Sequence, residues 1–144
     1  MRTVRPKGVS AMQKTILYIE DDPASRSLVE RTLRYGGYRV LIAENGLDGI
    51  DIARSEIPDL ILTDINLPDM SGREVTTTLR GDPRFSATPI VALTAHAMEG
   101  DERKCLEAGC DDFVNKPIPQ PDLAALIARY VRDRSSDGRP ERAA

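Results

Sequence analysis

The stretch Asp59-Leu60-Ile61-Leu62-Thr63-Asp64 decides the architecture. Its Leu/Ile run has no polar alternation, which is the pattern of a strand covered on both faces. Such strands belong to parallel sheets wrapped by helices. Parallel sheets deliver their strand ends to a crevice. An aspartate ending such a strand is costly to bury unless something pairs with it. Two more acids, Glu20 and Asp21, follow the apolar run Thr15-Ile16-Leu17-Tyr18-Ile19, and Lys116 follows Asp111-Asp112-Phe113-Val114-Asn115. Carboxylates and one ammonium at successive strand ends make a site.

Working outward, short apolar runs alternate with amphipathic stretches from Lys14 onward. The pattern predicts strands at 15–20, 38–43, 59–63, 89–94 and 111–115, and helices at about 23–36, 46–56, 72–81, 98–108 and 120–133. Gly36-Gly37 punctuates the end of the first helix, and Gly109 the end of the fourth. Leu123, Leu126, Ile127, Tyr130 and Val131 fall on one stripe of the last. Successive βα units imply an α/β fold, a parallel sheet with helices on both faces. In the fourth helix only Met98, Cys105 and Leu106 are available to face the sheet, so it is expected to be a weakly held, mobile element. Residues 1–13 read as a disordered leader, with Met12 an alternative start. Residues 134–144 read as a polar disordered tail, too short for an output domain.

The 144 residues suit one domain with a sizeable core. A net charge of −3 gives no field to draw nucleic acid or an anionic membrane. No apolar run reaches a bilayer span and no signal-peptide stretch opens the chain, so the expected location is cytoplasmic. Cys105 and Cys110, the only cysteines, read as small buried hydrophobes rather than a disulfide or metal pair.

Four segments, Ile19-Glu20-Asp21-Asp22, Asp64-Ile65-Asn66-Leu67-Pro68-Asp69-Met70-Ser71-Gly72, Ala92-Leu93-Thr94-Ala95 and Lys116-Pro117, stand in order at the predicted strand ends. In this they resemble the receiver domain of two-component response regulators, the CheY-like superfamily. The resemblance covers residues 14–133. It implies a flavodoxin-like (βα)5 doubly wound parallel sheet with strand order 2-1-3-4-5. The wording around Ala92–Met98 and Ala108–Phe113 is similar to single-domain cell-cycle regulators and hybrid-kinase receivers.

Grouped at the strand ends, Glu20, Asp21 and Asp64 would set three negative charges within a few ångströms, which is untenable without a cation. All-oxygen ligands with room for water suit Mg²⁺. The resemblance makes Asp64 the phosphoacceptor and Asp21 and Asp64 direct metal ligands. Glu20 would act through water, and the Asn66 carbonyl would be the third protein ligand. Lys116 would pair with phosphoryl oxygens as a point charge. Taken singly, each acid could be a solvated turn residue and Lys116-Pro117 a plain strand end; Asp22, one position beyond the matched pair, is expected to be just that. A haloacid-dehalogenase-type phosphatase would require an aspartate where this chain has Asn66.

The resemblance further implies that the Thr94 hydroxyl donates to the phosphoryl group and that Phe113 is the aromatic switch, remodelling the face of the fourth helix, fifth strand and fifth helix. The bland reading of Thr94 is a cap or strand end. A cis Lys116-Pro117 bond is implied in the same way. His96, the only histidine, is either an exposed loop residue or, with Asn66, a flank of the hydrolytic water's path.

The function expected is a stand-alone receiver, not an enzyme beyond its own phosphorylation and dephosphorylation. It would take phosphate from a histidine kinase or histidine phosphotransfer protein and switch contacts with a downstream protein. Donor docking would use Pro23, Ala24, Arg26 and Ser27 with the Pro117-Ile118-Pro119 loop. A phosphate shuttle and a fragment of a larger regulator are the alternatives. Arg129, Arg132 and Arg134 are too interleaved with acids for nucleic acid. A monomer is expected, or a weak dimer pairing those arginines with Asp101, Glu102 and Glu107.

Overall fold

The computed structural model describes the backbone of residues 13–137 and side chains through Val131. The βα units follow one another as the apolar runs predict: β1 (Thr15–Ile19), α1 (Pro23–Tyr35), β2 (Arg39–Ala43), α2 (Gly46–Glu56), β3 (Leu60–Thr63), α3 (Gly72–Arg80), β4 (Ile90–Thr94), α4 (Asp101–Ala108), β5 (Asp112–Asn115) and α5 (Gln120–Asp137). All strand pairs are parallel, in the order β2-β1-β3-β4-β5. The flavodoxin-like topology is therefore present.

Period-two alternation within each strand feeds two apolar layers. Leu17, Ile19 and Ile61 point to one face with Val75, Leu79 and Phe85; Ile16, Tyr18, Leu60 and Leu62 point to the other with Val29, Leu33, Leu123 and Ile127. Both faces of the central strands are thus covered, which is why their sequence is continuously apolar. Register does the rest. Ile19 pairs with Thr63, so Glu20 and Asp64 leave the sheet side by side, and Thr94 pairs with Asn115, the residue before Lys116.

The fourth helix departs from expectation. It starts at Asp101 rather than 98, because Gly100 is left-handed (φ 88°) and the Asp101 carboxylate accepts the Met98 N–H at 2.7 Å, closing a turn there. Met98 is 72% exposed and Leu106 44%, so of the three expected apolar contacts only Cys105 is buried. Both cysteines are buried and free, and burial pushes the Cys105 thiol up to about 12.

A 3-10 turn over Pro83–Phe85, capped by Asp82, seats the fully buried Phe85 between α3 and β4, where the apolar pattern predicts no element. The α5 helix runs four residues past 133, since after Pro121 in its first turn no glycine or proline occurs before Gly138. Residues 134–137, expected as part of the polar tail, are thus helical; residues 138–144, and 1–12 of the expected leader, lie outside the described residues.

Candidate functional site

The C-terminal edge of the sheet collects the acids. One carboxylate oxygen from each of Glu20, Asp21 and Asp64 lies within 4.8 Å of the others. Glu20 is 1% exposed and Asp64 9%, while Asp21 is open to solvent. Three anionic oxygens at that spacing, two of them buried, fit an oxygen-loving divalent cation such as Mg²⁺. Burial first, and then the neighbouring Glu20 charge, raise the Asp64 pKa above the usual carboxylate range, with Lys116 opposing.

Lys116 does not sit on Asp64. Its ammonium is bonded to Glu20 Oε1 and lies 3.8 Å from Asp64 Oδ2. Glu20 is the most heavily engaged acid: Oε1 also accepts the Tyr18 hydroxyl at 3.0 Å, and Oε2 accepts the Asp22 N–H at 3.1 Å. The Arg26 guanidinium donates to the main-chain oxygens of Glu20 (3.1 Å) and Asp21 (3.4 Å), pinning the turn that carries both acids. Asp22 stays out of the cluster; it caps α1 by accepting the Ser25 N–H at 2.9 Å.

The loop after Asp64 is fixed from several sides. Asp64 Oδ1 accepts the Asn66 N–H (3.2 Å), and Gly72 donates to Ile65 O (2.7 Å). The Asp69 carboxylate spans to α2, accepting from Gly46 N (2.8 Å) and Leu47 N (2.9 Å). Thr94 is fully buried at the end of β4, and its hydroxyl accepts the His96 N–H at 3.3 Å.

The model for the response regulator receiver domain matches residues 16–128. This chain belongs to that family. The receiver is 38% identical over 122 residues to the polar-differentiation response regulator DivK of Brucella anthropi, spanning 85% of this chain and 99% of that one. It is similar, at 34% identity and a TM-score of 0.77, to a receiver domain of a sensor histidine kinase from Pseudomonas aeruginosa PAO1 that has a magnesium ion coordinated in its active-site cleft. That match covers 83% of this chain and 98% of the other. A CheY-like receiver from Methanospirillum hungatei JF-1 superposes with a TM-score of 0.80 at 29% identity, covering 88% and 99%.

Elsewhere on the receiver, Phe113 is half-buried against the layer beneath α2, α3 and α4, and the Lys116-Pro117 peptide is cis. His96 is exposed. A groove of about 550 Å³ runs between α1 and the β5–α5 loop, where Leu28 is 59% exposed beside Pro117 and Ile118. Pro23, Ala24 and Ser27 are exposed near it, but Arg26 is committed to the site's own backbone. Among the described residues, Arg129 pairs with Asp112 and Glu107 with Arg103 within the chain. Sequence reasoning passed over Tyr18 and Asp69. A tyrosine in an otherwise aliphatic strand, two residues before Glu20 and therefore on the same face, was the available signal.

Proposed function

We propose that this receiver takes a phosphoryl group onto Asp64 from a phosphohistidine donor, in a Mg²⁺-dependent reaction, and thereby switches its contacts with a protein target. The observation that carries this is the buried Asp64 carboxylate, flanked by acid oxygens within 4.8 Å and by the Lys116 ammonium at 3.8 Å. In the transfer, an Asp64 oxygen attacks phosphorus in line, the P–N bond breaks and the imidazole leaves. Lys116 is poised to swing from Glu20 to the arriving phosphoryl oxygens. Asp21, Asp64 and the Asn66 carbonyl would hold the metal, with Glu20 bonding its water shell. When bound, Mg²⁺ neutralises charge on the phosphoryl group and the acids. The Thr94 hydroxyl would turn from the His96 amide to the phosphoryl group, and Phe113 would follow inward, biasing the α4–β5–α5 face toward its active form. The α1 groove is the proposed donor surface, and the receiver unit is taken as residues 14–133. Its place is the cytoplasm, and it has no chemistry beyond its own phosphorylation and dephosphorylation.

Incubation with a phosphorylated histidine kinase and Mg²⁺, read by intact mass, tests this. One phosphoryl group on the wild type and none on Asp64→Asn is the expected result; equal labelling of both overturns it. The likeness to a kinase's own receiver favours a second reading, a phosphate shuttle to a histidine phosphotransfer protein. Shuttling predicts reversible transfer that survives Phe113→Ala, whereas signalling by shape predicts that Phe113→Ala abolishes partner binding induced by beryllofluoride.

A further inference from the structure

The Tyr18 side chain is fully buried in the layer formed with Val29, Leu33, Leu62, Leu93 and Leu123, yet it carries a hydroxyl into that aliphatic setting. A hydroxyl at such depth is costly without a partner. Its partner is Glu20 Oε1 at 3.0 Å, the same oxygen that receives Lys116. Glu20 is itself 1% exposed, so solvent does little to orient its carboxylate. Three donors do so instead: the Tyr18 hydroxyl from the core side, the Asp22 N–H on Oε2, and the Lys116 ammonium.

These donors are not equivalent. Lys116 is a mobile ammonium on a four-carbon stem, and in the proposed reaction it leaves Glu20 for the phosphoryl group. The Asp22 N–H belongs to the exposed turn that opens α1. Tyr18 stands in the central part of β1, paired on both sides with Ile42 of β2 and Leu62 of β3. Its ring has no room to swing, so its hydroxyl is the fixed donor.

We infer that Tyr18 is a positioning residue for the metal site: its hydroxyl holds the Glu20 carboxylate in the orientation that receives a hydrated divalent cation, and keeps it there when Lys116 departs. The inference rests on the proposed Mg²⁺ site and concerns how that site is preformed. Hydrogen-bonding partners of metal-site groups typically change affinity by 10-fold or more when removed.

The test is a Mg²⁺ titration of the full chain by calorimetry, comparing wild type, Tyr18→Phe and Tyr130→Phe. Tyr130 donates its hydroxyl to Asp112 at 3.0 Å, at the start of β5 and so at the opposite end of that strand from Lys116, and its variant controls for the loss of a hydroxyl bond as such. Tyr18→Phe is expected to bind Mg²⁺ about 10-fold more weakly, with Tyr130→Phe unchanged and both variants still melting cooperatively. Equal affinity for wild type and Tyr18→Phe, or equal weakening in both variants, overturns the inference. A wild type that binds no Mg²⁺ overturns the site reading itself, which keeps the two failures apart. A measurement without substitution completes the test: the Tyr18 ring resonances in NMR spectra should move with Mg²⁺ along the calorimetric saturation curve. Resonances that stay fixed at saturation also overturn the inference.

Discussion

Gly72 is the first residue of α3, where helix propensity alone would favour alanine over glycine. A Cβ at this position would nevertheless stand 2.2 Å from Asp64 O and 3.1 Å from both Asp64 C and Ile65 Cα. These are backbone atoms, so no rotamer change relieves the contact. Since non-bonded heavy atoms settle at roughly 3.5 Å, Asp64 or the start of α3 must move by about 1 Å. That shift strains the Gly72-to-Ile65 hydrogen bond (2.7 Å) and the Thr63 hydroxyl bond to Asp64 O (2.9 Å). Overpacking costs about 1–3 kcal/mol and a weakened buried hydrogen bond about 1 kcal/mol more. Gly72→Ala should therefore lose roughly 2–4 kcal/mol and melt about 8–16 °C lower. A reacting group displaced by 1 Å also loses on the order of 100-fold in rate, so phosphorylation by acetyl phosphate should slow by about that factor. Thermal melting by circular dichroism and a phosphorylation time course measure both. A variant that melts at or above the wild-type temperature and phosphorylates at the same rate would refute the steric reasoning and leave helix propensity in command.

Lys116→Met removes the cation from a pair whose side chains are 8% and 1% exposed, and should cost about 3 kcal/mol. That is the low end for a broken buried pair, because Glu20 keeps Tyr18 and Asp22. Mg²⁺ should raise the melting temperature of this variant more than that of the wild type, and an equal rise would refute the competition between lysine and metal. Asp64 has its folded pKa raised by burial and the Glu20 charge, so its protonated form is favoured in the folded state. Without metal, the stability it contributes is full below its unfolded pKa and is lost as pH rises through the folded one. Asp64→Asn should flatten that loss and be the more stable protein at neutral pH in EDTA, checked by urea melts across pH. His96 is exposed and bonded to Thr94 through its main chain alone among the described contacts. His96→Ala should leave the aspartyl-phosphate lifetime within about two-fold, and a ten-fold change in a decay assay would give the imidazole a role in hydrolysis. With Cys105 its one buried side chain, α4 should exchange its amide hydrogens faster than α5, as measured by hydrogen exchange.

Much of the fold was legible because it depends on local pattern. Leu60-Ile61-Leu62 lacks polar alternation, which requires two covered faces, and strands of that kind with helices between them close into a parallel sheet. Glu20, Asp21, Asp64 and Lys116 were equally legible, because parallel strands present their ends together and the side chains after those ends share one edge. The start of α4 was less so: the helical spacing of Met98, Cys105 and Leu106 was outweighed by a left-handed Gly100 and the Asp101 turn, leaving Met98 in solvent.

Sequence by itself determined the element order, the parallel sheet and the acids and lysine at its edge. Only the tertiary structure decided which charge meets which. Lys116 rests on Glu20, 96 positions away in the chain, rather than on Asp64, and the Tyr18 hydroxyl meets the same oxygen. Periodicity carries the first kind of information because burial repeats along the chain. It cannot carry the second, because the partner of a buried charge is fixed by distances of a few ångströms between segments that only packing brings together.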